Sequence, residues 1–167
     1  SDVNGAQCPR VRGRVVQLLR GRRPRGQRAP LTVDMVAYLE SVVMDTTDPV
    51  AAVVAGAAVF TVMARLRVGD MRRSAFEPTL DLKPCGVEGF IEGVLIDHKT
   101  AAAGSRACLP IVAPLPGVTG KPWAQEWLRR RREQRIHADV VGTLLLAPAK
   151  GGGWTNVPLT TTEYGIT

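Results

Sequence analysis

Two stretches in the first half of the chain have the apolar spacing of helices. From Val33 onward, apolar residues recur at near-helical spacing, and Thr32 in front of them is a fair N-cap residue. Residues 50–62 are apolar or small except for one threonine, and they follow Asp48, which can cap a helix, and Pro49, which suits its first position. The pattern therefore predicts two helices, the second of which should be buried nearly all round.

Beyond residue 77 the pattern changes from a helical period to a period of two. The alternating segments predict a strand followed by a hairpin. Gly93 is interpreted as a bulge position, and Pro110 places its strand at an edge of the sheet because it lacks a backbone donor. The segments are residues 79–83, 90–96 and 106–112, with the hairpin turn at 97–105. The chain is thus predicted to be α+β, mainly helical with a small three-stranded antiparallel sheet.

A further helix is predicted over residues 121–135, with Trp123, Trp127 and Leu128 on one side. Residues 129–132 are consecutive arginines that crowd the C-terminal half of this helix. Because arginine there suits the helix dipole, we interpret the run as a solvated, cationic helix end. The helix is followed by a short apolar segment at residues 140–147 and a flexible turn at 150–153. An extended segment is predicted at 154–159, and a capping box at 160–163.

The composition fits one domain and an anionic partner. The 167 residues carry a net charge of +7 with a pI of about 10.0, and 18 of the 22 basic residues are arginine. Because arginine binds phosphate oxygens in a bidentate manner, an arginine-rich chain favours nucleic acid more than a lysine-rich one does. Residues 1–30 are rich in arginine, with Pro and Gly near their end, which predicts a basic arm and linker before a domain over residues 31–167.

The sequence lacks the motifs of several classes of enzyme and of metal site. It contains no GxSxG, no P-loop, no GxGxxG and only two histidines. Cys8, Cys85 and Cys108 are widely spaced, which argues against a zinc site and for reduced thiols inside a cell. We predict no metal, no cofactor and no membrane segment, since no apolar run has the length of a span. Because the chain begins without Met, we expect a fragment or a partial gene model.

Two cations on different elements carry the strongest functional signal. Arg67 follows the end of the buried helix, and Lys99 lies in the predicted hairpin turn, 32 residues later. Phosphoryl transfer without metals needs arginines that neutralise the non-bridging oxygens and a lysine that gives a proton to the leaving oxygen. We therefore expect the Arg67 guanidinium and the Lys99 ammonium to converge on one anion.

The sequence around these two cations resembles the tyrosine recombinases, the phage integrase family. Residues 64–71 (ARLRVGDM) are similar to the family's first arginine motif: a small residue, Leu, Arg, a branched apolar residue, any residue, an acid and an apolar residue. The chain departs from this motif at Arg65, which stands where the family has the small residue. The turn at residues 98–100 (HKT), with residues 106–111 as the return strand, is similar to the family's lysine-bearing turn. The resemblance covers about residues 31–128 and is strongest to integrase-like recombinases of eukaryotic mobile elements.

The resemblance implies a domain that binds double-stranded DNA and exchanges strands through a covalent phosphotyrosine. Such proteins act as homo-oligomers on DNA, in the nucleus if the source is eukaryotic. Arg67 would then clamp the scissile phosphate, Lys99 would be the general acid toward the 5′-hydroxyl, and Asp70 would brace the arginine turn. Further DNA contacts are implied for Arg65, Arg72, His98, Thr100 and Arg106.

Two parts of the family's site have no counterpart in the chain. His137 is followed by Ala138, Asp139 and Val140, so it does not begin the family's His-x-x-Arg motif. Tyr164 stands before the place where the nucleophile belongs, and we interpret it as structural. The chain alone is therefore expected to be inactive in DNA cleavage.

Two alternatives stay open. One is a non-catalytic nucleic-acid-binding module that uses the basic arm and residues 121–135 for phosphate contacts, with Arg67 and Lys99 incidental. The other is a helical protein-interaction domain whose residues 129–132 meet an acidic partner. The recombinase and the non-catalytic module both predict DNA binding that weakens steeply with salt, so geometry rather than affinity separates them.

Overall fold

A computed structural model describes residues 31–71, 74, 77–84, 86, 88–96, 108–136 and 144–159. The chain divides after Leu31, and every element below belongs to the unit Thr32–Thr167. The predicted arm, residues 1–30, lies outside the described residues. The described part of this unit is α+β, with four helices and two antiparallel sheets. The helices are α1 (Val33–Asp45), α2 (Pro49–Met63), α3 (Val68–Met71) and α4 (Trp123–Glu133). The strands are β1 (Thr79–Leu82), β2 (Gly89–Leu95), β3 (Leu109–Pro114), β4 (Leu146–Pro148) and β5 (Trp154–Pro158).

Helices α1 and α2 begin where the sequence predicts. The Thr32 hydroxyl accepts a hydrogen bond from the backbone N–H of Met35 at 3.3 Å. The Asp48 carboxylate accepts from the N–H groups of Val50 at 2.9 Å and Ala51 at 3.2 Å, with proline at the first helical position. These bonds satisfy amides that a helix start leaves without intrahelical partners. As predicted, most of α2 is then buried: Ala52, Val53, Ala55, Gly56, Ala57, Val59, Phe60 and Thr61.

Helix α2 packs closely against α4. Gly56 of α2 faces the indole of Trp127, and no larger residue fits without movement because a Cβ atom would overlap the ring. The Trp127 Nε1–H donates to the carbonyl of Val53 at 3.0 Å, and its ring centroid lies 5.6 Å from that of Phe60. The residues predicted on one side of α4 are all buried: Trp123, Trp127 and Leu128. The core is therefore built around an aromatic cluster between these two helices.

The loop before α4 is tied to α1 by a buried carboxylate. Glu40 is fully buried and accepts hydrogen bonds from the N–H of Val118 at 2.8 Å, the N–H of Thr119 at 3.0 Å and the Thr119 hydroxyl at 2.6 Å. Lys121 adds an ion pair to Asp45, at the end of α1, at 3.6 Å. The start of α4 consequently lies near the end of α1 and the start of α2.

The three-stranded sheet has the predicted order β1-β2-β3 with antiparallel pairing throughout. Its inner face buries Ile91 and Leu95 of β2 and Ile111 and Ala113 of β3 in the same core as the helices. The predicted edge position of the strand that contains Pro110 is confirmed, since β2 is the only described strand with which β3 pairs.

Two details of this sheet differ from the prediction. β3 spans Leu109–Pro114 rather than residues 106–112, because buried residues continue to alternate beyond the predicted end; residues 106–107 lie outside the described part. Gly93 is not a bulge, since it pairs in regular register with Ile111. A Cβ at position 93 would come within 3.2 Å of the Ile111 side chain, so close packing rather than a bulge explains the glycine.

A second, two-stranded sheet joins β4 and β5. Leu146 pairs with Pro158 and Pro148 with Trp154, with an irregularity between the pairs. The turn at residues 150–153 and the extended segment after it are as predicted. The pairing of β4 with β5 was not predicted. The apolar segment before the turn gave no alternation because Leu144, Leu145 and Leu146 are all buried.

Candidate nucleic-acid interface

Helix α2 ends in a Schellman motif that presents Arg65 to solvent. The N–H of Arg65 donates to the carbonyl of Val62 at 3.1 Å, and the N–H of Leu66 donates to that of Thr61 at 2.8 Å. Arg65 has a φ of 55°, in the left-handed region, and its side chain is exposed. The motif satisfies the last carbonyls of the helix and turns the chain sharply toward Arg67.

Asp70 holds the backbone of Arg67 from two directions. Its carboxylate accepts from the N–H of Arg67 at 3.0 Å, and its own N–H donates to the carbonyl of Arg67 at 2.8 Å. This is the brace that the family resemblance implies. The Arg67 side chain is exposed, and none of the described carboxylates forms an ion pair with its guanidinium. A fixed backbone below an unpaired guanidinium suits the binding of an external anion.

The chain after this turn reaches the end of the sheet where β2 and β3 are joined. Ser74, three residues after α3, forms an isolated antiparallel bridge with Leu95, the last residue of β2. Leu95 also pairs with Leu109, the first residue of β3. The connection between these two strands therefore leaves the sheet beside the segment that follows the Arg67 turn.

Most of the predicted site residues lie on chain that the structure does not describe. Arg65 and Arg67 are described, and both are exposed. The others lie outside the described residues: Arg72, His98, Lys99, Thr100 and Arg106. The expected convergence of Arg67 and Lys99 on one anion therefore stays a prediction.

A buried arginine that sequence reasoning missed is connected to α3, the helix that contains Asp70. Only 2% of Arg131 is exposed, and its guanidinium donates to the carbonyl of Leu144. The N–H of Leu144 in turn donates to the carbonyl of Met71, the last residue of α3, at 3.1 Å. The Thr61 hydroxyl of α2 lies 2.7 Å from the Met71 sulfur. This chain of contacts links α4, through α3, to the last turn of α2.

The burial of Arg131 could have been foreseen from helical spacing. It follows Trp127 by four residues and so lies on the same face of α4 as the tryptophans. Its guanidinium carbon lies 5.2 Å from the centroid of the Trp127 ring, a cation–π contact. Burial lowers the pKa of Arg131 to about 10, and the Glu77 carboxylate acts in the opposite direction. Its Nε has no hydrogen-bond partner among the described residues.

The arginine run on α4 is not the uniformly solvated, cationic end that the sequence suggested. Arg129 forms ion pairs with both Glu126 and Glu133, and Arg130 pairs with Glu126 at 2.7 Å. The hydrogen bond from Arg129, helped by that from Arg130, lowers the pKa of the Glu126 carboxyl although partial burial opposes this. With Arg131 buried, Arg132 is the one member of the run that is exposed and outside these ion pairs. The run therefore offers much less free positive charge than its composition implies.

Comparisons with models of protein families, with curated proteins and with solved structures gave no match to the chain. The described residues contain no group of three or more His, Cys, Asp and Glu that could hold a metal ion. None of the described helices has the length and hydropathy of a membrane span. The interpretation of the Arg67 turn therefore depends on the chain's own residues.

Proposed function

We propose that the chain corresponds to the part of a tyrosine recombinase-like domain that carries the first arginine and the lysine. It binds double-stranded DNA, and Arg67 holds a backbone phosphate. The observation that supports this proposal most directly is the Arg67 turn: an exposed guanidinium without a described ion-pair partner, on a backbone that Asp70 holds from two directions. Such a group binds a phosphate with little loss of backbone freedom.

The place of the turn in the fold adds support. Ser74 brings the chain after Arg67 to the end of β2, from which the strand connection that contains Lys99 departs. In a polypeptide that also carries the tyrosine nucleophile, the deprotonated tyrosine oxygen bonds to phosphorus as the bond from phosphorus to the 5′ oxygen breaks. Lys99 then gives its proton to the departing 5′ oxygen, while Arg67 neutralises the non-bridging oxygens. The domain would act on DNA inside the cell, in the nucleus of a eukaryotic source, as a homo-oligomer.

A non-catalytic nucleic-acid-binding module is the second candidate. It is favoured by the exposed arginines at the end of α4, Arg132 and Arg135. It is disfavoured by the ion pairs of Arg129 and Arg130, which compensate much of the charge that this helix would bring to a phosphate backbone.

Duplex DNA binding by point variants tests the proposal. Fluorescence anisotropy with a labelled duplex, at several salt concentrations, gives the affinity and its salt dependence. The slope of log K against log salt is negative, and loss of one phosphate contact reduces its magnitude by about 0.9. This corresponds to roughly an 8-fold loss of affinity at 0.1 M salt. We expect Arg67→Ala to show this loss. Lys83→Ala removes an exposed lysine that already pairs with Glu88, and it should bind nearly as the parent does.

The two candidates then give different results. If Arg67 holds a phosphate, Arg67→Ala weakens binding more than Arg132→Ala does. If Arg132→Ala has the larger effect and Arg67→Ala none, the non-catalytic module is the better description. A parent chain that does not bind duplex DNA at low salt would exclude both.

A further inference from the structure

Helices α2 and α4 end in the same way, each with an arginine in the left-handed conformation. At the end of α4, the N–H of Arg135 donates to the carbonyl of Arg132 at 2.9 Å, and the N–H of Ile136 donates to that of Arg131 at 3.0 Å. These are the two bonds of a Schellman motif, as at the end of α2. Arg135 has a φ of 54°, almost the same as the 55° of Arg65.

Glycine is the usual residue at this position, because a Cβ atom disfavours positive φ. The described part of the chain follows that preference at its other positive-φ positions, which are Gly86, Gly89, Gly120, Gly152 and Gly153. Only Arg65 and Arg135 among the described residues depart from it. Each therefore costs stability that a glycine would recover, and this cost suggests that the side chain itself is needed.

Both arginines lie at the same end of the packed helix pair. The start of α4 is near the start of α2, because Lys121, two residues before α4, pairs at 3.6 Å with Asp45, four residues before α2. The other end of α4 is near α3, through the contacts of Arg131 with Leu144 and of Leu144 with Met71. Since α3 follows the end of α2 directly, α2 and α4 run in the same general direction.

The two arginines are also at a similar height along the helices. Gly56 and Trp127 are in contact, Arg65 follows the first by nine residues, and Arg135 follows the second by eight. At 1.5 Å per residue, both lie roughly 12–14 Å beyond this contact. Packed helices have axes about 8–10 Å apart. Two extended arginine side chains from these ends can therefore reach two phosphates of one duplex, on the same strand or on its two strands.

Neither guanidinium is compensated within the described residues. Both side chains are exposed, and no described carboxylate forms an ion pair with either of them. Arg67 is exposed two residues beyond Arg65, so the same end of the helix pair carries a third unpaired cation. A nucleic-acid backbone, with its closely spaced charges, is the anion that fits several arginines spread over such an edge.

We propose that Arg65 and Arg135 form a paired contact to the phosphate backbone of duplex DNA, beside the phosphate held by Arg67. This inference rests on the proposed DNA-binding function and extends it to Arg135, on a different helix. It assigns to the two residues a positioning role: they fix the orientation of the duplex across the ends of α2 and α4 and take no part in the chemistry.

Glycine substitutions give an unusual combination of expected effects. Arg65→Gly and Arg135→Gly should leave the melting temperature of the full chain unchanged or raise it, because glycine adopts the required φ without the Cβ penalty. Each should lower the affinity for duplex DNA about 8-fold at 0.1 M salt and lower the salt slope by about 0.9, with about twice the change in slope for the double variant. Lys83→Gln, an exposed and paired lysine at the opposite end of the sheet, is the control for net charge.

The outcomes separate this inference from the function on which it rests. Loss of affinity and salt slope in both glycine variants, with stability retained and the Lys83→Gln control near the parent, supports the paired contact. Parent-like binding by the double variant would overturn it while DNA binding itself stands, as would an equal loss in Lys83→Gln, which would show an effect of net charge alone. Absence of duplex binding by the parent would overturn both.

Discussion

Substitution of Gly56 by alanine tests the packing that brings the ends of α2 and α4 together. In most helices this change stabilises by about 1 kcal/mol, because alanine has the higher helix propensity. Here a Cβ atom at position 56 would overlap the Trp127 indole, lying within 2.8 Å even of Nε1, the farthest of the three nearest ring atoms. The indole is fully buried, so it cannot relieve the overlap by turning out into solvent.

The magnitude follows from three effects. Overpacking of a well-packed core costs about 1–3 kcal/mol. Displacement of the indole also weakens the Nε1–H bond to Val53, which contributes roughly 1 kcal/mol. After subtraction of the propensity gain, Gly56→Ala should destabilise the fold by about 1–3 kcal/mol. The sign is thus opposite to that expected for a glycine in an open helix.

Urea denaturation followed by tryptophan fluorescence measures this free energy of unfolding. Gly69→Ala is the matched control, because, its own helix backbone and chain neighbours aside, no described atom lies within 4 Å of a Cβ at that position. It should be neutral or slightly stabilising. If Gly56→Ala is as stable as Gly69→Ala, then α4 does not lie on α2 as described, and the shared end of these helices is lost with it.

Three further predictions concern buried and paired charges. Glu40→Gln should cost about 1–3 kcal/mol, since an amide N–H₂ would face backbone or hydroxyl donors now bound by the carboxylate; the urea midpoint checks this, and no change would contradict it. Glu126→Gln should lower the melting temperature at pH 7 and lower it less as the pH falls below 4.5, because a carboxyl whose pKa is lowered in the fold stabilises above its unfolded value of 4.5, and this contribution is lost as the pH falls through the folded pKa. A difference that is as large at pH 3 as at pH 7 would rule out the ion pairs as its cause. Arg131→Met, which removes a buried charge at similar volume, should be neutral or stabilising by up to about 4 kcal/mol, whereas Arg131→Ala should destabilise because it also leaves a cavity. A lower unfolding free energy for Arg131→Met than for the parent would show that the Arg131 charge stabilises the fold.

Local chemistry made the elements of the fold predictable. Thr32 and Asp48 mark helix starts through bonds that involve only the next three residues, and Pro49 does so through its fixed φ, so the sequence contains the whole signal. The alternation of apolar and polar residues on either side of Gly93 predicted a strand there, because this pattern is also visible in the local sequence. The end of β3 and the pairing of β4 with β5 were not predicted, because they depend on which residues meet in the core.

The state of individual charges was harder to predict than the elements that carry them. The run at residues 129–132 gives four identical letters, but two of the arginines pair with glutamates of their own helix and one lies buried beside Trp127. The left-handed conformation of Arg135 was also not predictable. Glycine is the residue that usually marks this conformation at a helix end, and the chain has arginine there. The bonds of Asp70 to the Arg67 turn were expected only from the family resemblance, and their physical basis is that an acid three residues after Arg67 can reach back to its N–H.

The most direct test of the central claim, that Arg67 and Lys99 share one phosphate, is a double-mutant cycle on duplex DNA affinity. The parent, Arg67→Ala, Lys99→Ala and the double variant are compared at one salt concentration, with an Arg67→Ala and Lys83→Ala cycle as the additive control. Two cations on the same phosphate should show a coupling energy of about 1 kcal/mol or more, because loss of one changes what the other can contribute. Free energies that add to within about 0.5 kcal/mol in both cycles would show that Arg67 and Lys99 act at separate places, and would contradict the proposed phosphate site.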